Sequence, residues 1–425
     1  MKIQLPYGRG WLTGTVPDQR VQKIFHSELD TYISQKSERE IIKEAMNGKV
    51  YGERLSSRSK NKKRIVLIAS DHTRPVPSRL IIPEMLAQIR EGNPGATVTI
   101  VIATGCHRES RKEELIRKFG KDIVNREHII IHDCDAPDVR FIGCLKSGNE
   151  LWLNSAVAEA DLIVAEGFIE PHFFAGFSGG RKSILPGVSA RKTVYGNHCA
   201  HFIDNENACY GVLEENPVHM DMVEAANMAG LSYIVNVVMN SKYEVIGAFA
   251  GEPQSAYKAG VNFLNKLCRQ EAEGADIVIT TNNGYPLDQN IYQAVKGMAS
   301  AEKICREGGV IIMAAYCEDG VGSDYFYNIF RNNPSSASIL KEIRERSVAE
   351  TQADQWQAQI FARILEKHKV ILISECTPSL VREMHMIPAS CLEEAIKLAD
   401  AELGGVERKI SIIPDGICSI LELKD

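Results

Sequence analysis

The stretch Arg64-Ile-Val-Leu-Ile-Ala-Ser70, followed by the amphipathic segment Ser78–Glu91 and then by Ala96-Thr-Val-Thr-Ile-Val-Ile-Ala103, decides the fold. Both apolar runs are short and rich in β-branched residues, whose stiff side chains suit a pleated surface. They are continuously apolar rather than alternating, as expected of strands covered on both faces of a parallel sheet. The same rhythm recurs at His128–His132, Asp161–Ala165, Tyr233–Met239, Asp276–Thr280, Val310–Met313, Val370–Ser374 and Lys409–Ile413, with helical patterns such as Lys112–Phe119 between. Alternating strands and helices predict an α/β protein with mainly parallel sheets flanked by helices. A helical stretch from about Glu252 to Gly274 without functional residues places a domain boundary there. The expected units are a cofactor-binding domain over 1–270, possibly rejoined by 405–425, and a second α/β domain over 275–404 that completes the substrate pocket. The active site is then expected in the cleft between them, in the loops that leave the carboxyl ends of the strands.

Composition narrows the function. A chain of 425 residues with 44% hydrophobic and 24% charged residues is that of a globular enzyme. A net charge of −6 offers no attraction for nucleic acid or an anionic membrane. No apolar run approaches the ~20 residues that span a bilayer, and no apolar block follows Lys2 and Arg9 as a secretion signal requires. Eleven scattered cysteines with no CxxC pair read as reduced thiols of a cytoplasmic protein.

Five loops carry the residues of interest. Asp71-His72-Thr73-Arg74-Pro-Val-Pro77 leaves a strand; Asp71 and Thr73 can cap a helix or hold a ligand hydroxyl, and Arg74 can clamp a carboxylate or phosphate. Thr104-Gly105-Cys106-His107 presents a histidine at a strand end, where it can move a proton near neutral pH. Glu170-Pro-His172-Phe-Phe-Ala-Gly-Phe-Ser178-Gly179-Gly180-Arg181-Lys182-Ser183 is glycine-rich but fails the Walker A spacing, with one residue too few between Gly176 and Gly180 and Arg181 before the lysine. It can still cradle a phosphate, with Ser178 and Arg181 as donors, and Lys182 beside it is a point charge or an amine for covalent attachment of a cofactor. His198 is a candidate ligand for nickel, copper or zinc that lacks companions of its own, as if a cofactor supplied the other donors. Finally, Tyr292, Gln293 and Lys296 open a helix after a strand, and Gln293 and Lys296 share a face able to hold a carboxylate or hydroxyl. Trp356 and Gln357 are weaker candidates for the cleft wall.

Together, Asp71–Pro77, Thr104–Arg108, His172 with Ser-Gly-Gly-Arg-Lys182-Ser and Pro186-Gly187, and Tyr292-Gln-Ala-Val-Lys296-Gly297 resemble the nickel-pincer lactate racemase family, in the family's order over about residues 60 to 300. The resemblance implies an isomerase, a racemase or epimerase of a small 2-hydroxy acid with lactate foremost. It implies a Ni(II)-pyridinium-3,5-bisthiocarboxylic acid mononucleotide, the nickel-pincer nucleotide, covalently linked through Lys182. His198 is then the nickel ligand and His107 and His172 are the acid/base pair. Asp71, His72, Thr73, Arg74, Ser178, Gly179, Gly180 and Arg181 then contact the cofactor. Arg74, Tyr292, Gln293 and Lys296 then orient substrate. It also implies cofactor-maturation enzymes as partners. Cys106 and Cys199, which flank two of the histidines, have no role in this assignment.

The chemistry favours such a set. Removing the α-hydrogen of a 2-hydroxy carboxylate as a proton would create a dianion, whereas removing it with its electron pair leaves a neutral ketone, and a pyridinium can accept that pair. A second reading within the family is racemisation of malate, a hydroxyglutarate, an aryl-lactate or an aldonate. A reading of another class is a non-catalytic nucleotide- or anion-binding protein, which would need Arg181 and Lys182 but not two histidines. An NAD dehydrogenase is disfavoured, since no G-x-G-x-x-G follows the first strand.

Overall fold

The structure, a computed structural model, describes residues 1–424. Two six-stranded sheets organise the chain. The first has the order Val245–Gly251, Leu231–Met239, Leu162–Phe168, Arg64–Ser70, Thr97–Ala103, His128–Ile131. All its neighbours are parallel except the edge pair Leu231–Met239 and Val245–Gly251. Those two are joined through a tight turn, closed by Asn240 N–H to the Glu244 carbonyl at 3.1 Å, which leaves no room for the crossover that a parallel pair needs. The second sheet is wholly parallel: Ile387–Ala389, Lys369–Ile373, Cys305–Ala314, Ala275–Thr281, Ile410–Ile413, Val21–Ile24.

Each of the apolar runs forms a strand, within a few residues at its ends, because burial on both faces is what those residues require. Ile65, Val66, Leu67 and Ile68 are all buried, alternately in two different cores. Each such side chain contributes about 1.5–3 kcal/mol on leaving water. One of those cores is shared: Val66, Ile68 and Ile163 from the first sheet belong to the same cluster as Val278, Ile311 and Met313 from the second. No helix among the described residues is long and apolar enough to cross a membrane.

Two expectations about sheet membership are corrected. The segment 1–24, expected with the first unit, packs with the second sheet. Its hairpin Lys2–Tyr7 and Gly10–Thr15 packs Ile3 and Leu5 with Ile277, Ile312 and Leu392, and Val21–Ile24 forms the sheet edge. Arg20 locks this arrangement by a two-pronged pair with Asp400, at 2.6 and 2.8 Å. The segment 405–425 does not rejoin the first sheet either. Ile410–Ile413 lies between Ala275–Thr281 and Val21–Ile24, and Ile420–Leu423 pairs with Arg269–Ala272. These strands are short, and pairing with partners distant in sequence satisfies their backbone groups.

Candidate active site

In the first sheet the chain runs outward from Arg64–Ser70 to one side through Thr97–Ala103 and His128–Ile131, then returns to the other side with Leu162–Phe168. Connections therefore leave Ser70 and Phe168 in opposite directions, and a crevice opens beyond the carboxyl ends of those two strands. A cavity of about 760 Å³, open to solvent, occupies it. Ser70, Arg74, His107, Glu166 and Lys182 are among its walls.

His107 does not stand alone. Its Nδ1 lies 2.9 Å from Oδ2 of Asp71, which is 1% exposed. A carboxylate can only accept, so it fixes the proton of a neutral His107 on Nδ1 and leaves Nε2 with a free lone pair. Asp71 is itself held by the Thr73 hydroxyl at 2.7 Å and the Thr73 N–H at 3.2 Å. Burial pushes the Asp71 carboxyl up, but the bond and charge of His107, Thr73 and Arg74 outweigh it and hold it below the ordinary range. Asp71→Asn keeps the shape and loses the tautomer control. Turnover is expected to fall about 10²-fold or more, with a thermal midpoint close to wild type; stopped-time racemisation assays beside thermal melts check both.

The loop from Glu170 to Gly187 is shaped from within. Gly179 has φ +84°, and a Cβ there would stand 2.6 Å from the Phe168 carbonyl. Gly180 spends its N–H on Asn236 Oδ1 at 2.7 Å. Arg181 is a correction: it was expected to contact an anion, but its guanidinium is buried and donates to the carbonyls of Phe177 and Ala175, at 2.8 and 2.7 Å, and to the Tyr257 hydroxyl. It clamps the loop because these acceptors and the Gly179 carbonyl, at 3.2 Å, converge on the buried guanidinium. Ser178, Gly179 and Gly180 do line the cavity.

His219, stacked near Tyr257 and near the Arg181 charge, has its pKa lowered to about 3 by burial and then by Arg181. The native state thus stays unprotonated there between about 3 and the ordinary 6.5, while the unfolded chain takes up a proton. Stability is expected to fall as pH drops through that window, and His219→Gln to lessen the dependence by about one proton, as denaturant titrations at several pH values would register.

Around Lys182 the site is densely cationic. Lys182 is held far below its ordinary pKa, first by burial, then by Arg181 and Arg74. Lys296 is lowered to about 8 by burial and then Arg74. His172 is kept well below its usual value by burial, then by Lys182, Lys296 and Arg74. Its Nδ1 accepts the Ala175 N–H at 3.3 Å, so in the neutral ring Nε2 carries the proton. Arg74, His172, Lys182 and Lys296, drawn from three segments, thus act on one small volume. His198 sits beside it, buried between the rings of Phe174 and Trp356 at 5.1 and 4.9 Å. Its pKa falls to about 3, through burial first and Lys182 second, and its Nδ1 has no hydrogen-bond partner.

The second sheet contributes the helix Ile291–Glu302, started by Asn290, whose side chain accepts the Gln293 N–H at 2.9 Å. It carries Lys296 toward the cationic group, with Gln293 on the same face. Tyr292, expected to orient substrate, instead gives its hydroxyl to Asp354 at 2.9 Å. The Gln357 side chain bonds the Tyr292 carbonyl, so both brace the helix start. Trp356 reaches the site through its contact with His198. His72, expected at the cofactor, is turned to Ser110 at 2.8 Å and is absent from the cavity wall. Thr73 acts through Asp71. Cys106 lines the cavity and Cys199 is buried.

Sequence reasoning missed one wall residue. Glu166 is 3% exposed in the strand Leu162-Ile-Val-Ala-Glu-Gly-Phe168. Reading that strand as ending at Ala165 hid the signal, a lone carboxylate inside a buried-type run.

With this geometry in place, comparison with known proteins is informative. Models described as the lactate racemase N-terminal domain and the lactate racemase C-terminal domain match residues 7–211 and 270–421. A curated lactate racemase of Thermoanaerobacterium thermosaccharolyticum is 47% identical over 424 residues, 99% of each chain. Another, of Lactiplantibacillus plantarum, is 44% identical over 422 residues, again 99% of each. The solved lactate racemase apoprotein from T. thermosaccharolyticum superposes with a TM-score of 0.95 at 46% identity, over 99% of this chain and 100% of that one. A Thermotoga maritima protein at 18% identity shares the fold, with a TM-score of 0.63 over 91% of this chain and 98% of its own. Matched nearly end to end by sequence and by fold, the chain belongs to the lactate racemase family.

Proposed function

We propose that this protein inverts the 2-carbon of a small 2-hydroxy acid, lactate foremost, using a nickel-pincer pyridinium mononucleotide linked to Lys182. The observation that carries the reading is the gathering of two histidines, a deprotonation-prone lysine and two further cations at the switch point of the first sheet. The relatives named lactate racemase support lactate over malate, a hydroxyglutarate, an aryl-lactate or an aldonate. The elaborated proton-handling pair His107–Asp71 favours an enzyme over a simple anion-binding protein.

The residues fit the group. Lys182 is a buried amine whose surroundings favour the neutral, nucleophilic form, as covalent attachment requires. His198 offers an imidazole kept unprotonated at neutral pH with an unpartnered nitrogen, as a nickel ligand must be. Gly179 and its neighbours leave open space beside Lys182 for a mononucleotide. When bound, the group supplies an acceptor for the α-hydrogen together with its electron pair.

The chain's own residues do the rest. Arg74 and Lys296 hold the substrate carboxylate and keep it while the planar keto acid turns. The Nε2 lone pair of His107 takes the hydroxyl proton of one enantiomer, and Asp71 stabilises the imidazolium that results. His172 returns a proton to the oxygen once it points the other way. A linkage at Lys182 keeps that position uncharged beside His172, and a bound carboxylate adds an opposing charge. Both favour a His172 pKa at which it can carry that proton. Maturation enzymes are the partners this cofactor demands. We place the protein in the cytoplasm, where its eleven unpaired thiols would stay reduced.

The test follows the α-hydrogen. With mature enzyme in water, 2-deuterated lactate is expected to racemise with its deuterium retained, while the hydroxyl proton exchanges freely. Rapid washout of deuterium would overturn the reading in favour of carbanion chemistry. A panel of 2-hydroxy acids followed by polarimetry fixes the substrate.

A further inference from the structure

Glu166 sits where the two strands of the switch point part, and its two oxygens are treated unequally. Oε1 accepts three hydrogen bonds, from the Ser70 N–H at 3.0 Å, the Ser70 hydroxyl at 2.7 Å and the Ser78 hydroxyl at 2.8 Å. Oε2 is buried and accepts none. A buried carboxylate oxygen without a partner is costly, because it has given up its hydration for nothing in return. Three donors crowded on one oxygen also fix the carboxylate plane, so the free oxygen has one direction to offer. Glu166 is part of the cavity wall that also includes Lys182.

The partner that Oε2 lacks is a hydrogen-bond donor. A cation is a poor candidate, because among the described residues the cluster able to hold a metal is Asp133, Cys134 and Asp135, without Glu166. Lys118 balances the charge from a distance, but its ammonium is committed to the Arg74 carbonyl at 2.8 Å. A neutral donor presented at a strand's carboxyl end is what a sugar hydroxyl supplies, and acidic residues near nucleotide-binding switch points serve ribose in this way.

We propose that Glu166 is the ribose-recognition residue of the cofactor site, its Oε2 accepting a hydrogen bond from the 2′,3′-diol of a pyridinium mononucleotide. This rests on the cofactor reading above and adds to it the group that sets the nucleoside in register. With Lys182 holding the ring end and Glu166 the sugar, two points fix the angle of the ring before the linkage forms.

The experiment uses unmodified full-length protein and needs no activity. Nicotinamide mononucleotide and its 2′,3′-dideoxy analogue are titrated calorimetrically into wild type, Glu166→Gln and Lys182→Ala. Glu166→Gln keeps the volume and an acceptor for Ser70 and Ser78 but replaces the free anionic oxygen by an amide group. Wild type is expected to bind the ribo form about tenfold or more tightly than the dideoxy form, as a charge-assisted bond warrants. Glu166→Gln should erase most of that ratio while changing dideoxy binding less than about twofold, and Lys182→Ala should leave the ratio intact. Equal affinity of wild type for the two probes overturns the assignment and does not depend on how any variant folds. Equal losses for both probes in Glu166→Gln overturn it as well. Failure of wild type to bind either probe removes the mononucleotide reading itself, and this assignment with it.

Discussion

Lys182→Ala is expected to give a protein with no measurable racemisation and no cofactor mass on the polypeptide, even when made together with the maturation enzymes. Wild type made the same way should carry an adduct that peptide mapping assigns to Lys182. The reason lies in the amine's surroundings. Burial, then Arg181 and Arg74, destabilise the ammonium, so the nucleophilic form is more accessible than in an exposed lysine. Lys182→Arg separates the two roles a lysine could have here. Arginine restores a cation to the loop but cannot form the linkage, and the variant should be as inactive as Lys182→Ala. An arginine variant with near wild-type turnover would show that the residue serves as a charge, and the covalent reading would fall. Unmodified wild type made without maturation enzymes is the control, since it lacks the adduct for a different reason.

The second large effect concerns the two histidines. His107→Ala and His172→Ala should each lower kcat by about 10²–10⁴-fold in both directions, the usual contribution of a positioned acid or base. Nickel content, measured by elemental mass spectrometry, and the adduct mass should stay at wild-type levels, because neither side chain is the proposed metal ligand or point of attachment. The two variants should differ in how they combine with Asp71→Asn. His107 works with Asp71, so Asp71→Asn should add little to the loss in His107→Ala, as expected of groups that act as a unit. The Asp71 effect should add to that of His172→Ala, which belongs to a different loop. Near wild-type turnover in either alanine variant would remove that histidine from the mechanism.

How much of this was legible in the chain varies by residue. His107, Arg74 and Lys182 could be singled out because each lies in a loop after a strand, or in a glycine-rich segment, where the residue type has few structural reasons to occur, and His198 because it is a ligand-type side chain without companions. Arg181 could not be separated from its neighbour Lys182. Both are cations in one glycine loop, and only the closing of that loop turns the first inward onto the carbonyls of Ala175 and Phe177. Tyr292 was ambiguous for a similar reason. Its helix position puts it near Gln293, but Asp354, distant in sequence, takes its hydroxyl. Asp71 was read as a cap or a cofactor contact, since nothing local reveals that a histidine thirty-six positions later would fold onto it.

The amino-acid sequence alone determined the α/β class, because apolar runs of strand length that recur between amphipathic helices have no other way to leave water. It also determined which loops hold the chemistry, through glycine, histidine and lysine at strand ends. The tertiary structure decided everything that depends on partners far apart in the chain. It put residues 21–24 and 410–413 into the second sheet, paired Asp71 with His107, and brought Lys296 to the cations of the first sheet. It also left one oxygen of Glu166 without a partner. The physical reason is common to all of these: hydrophobic pattern is a local property of the chain, whereas hydrogen-bond satisfaction and the summed field of buried charges exist only once distant segments share a space from which water has gone.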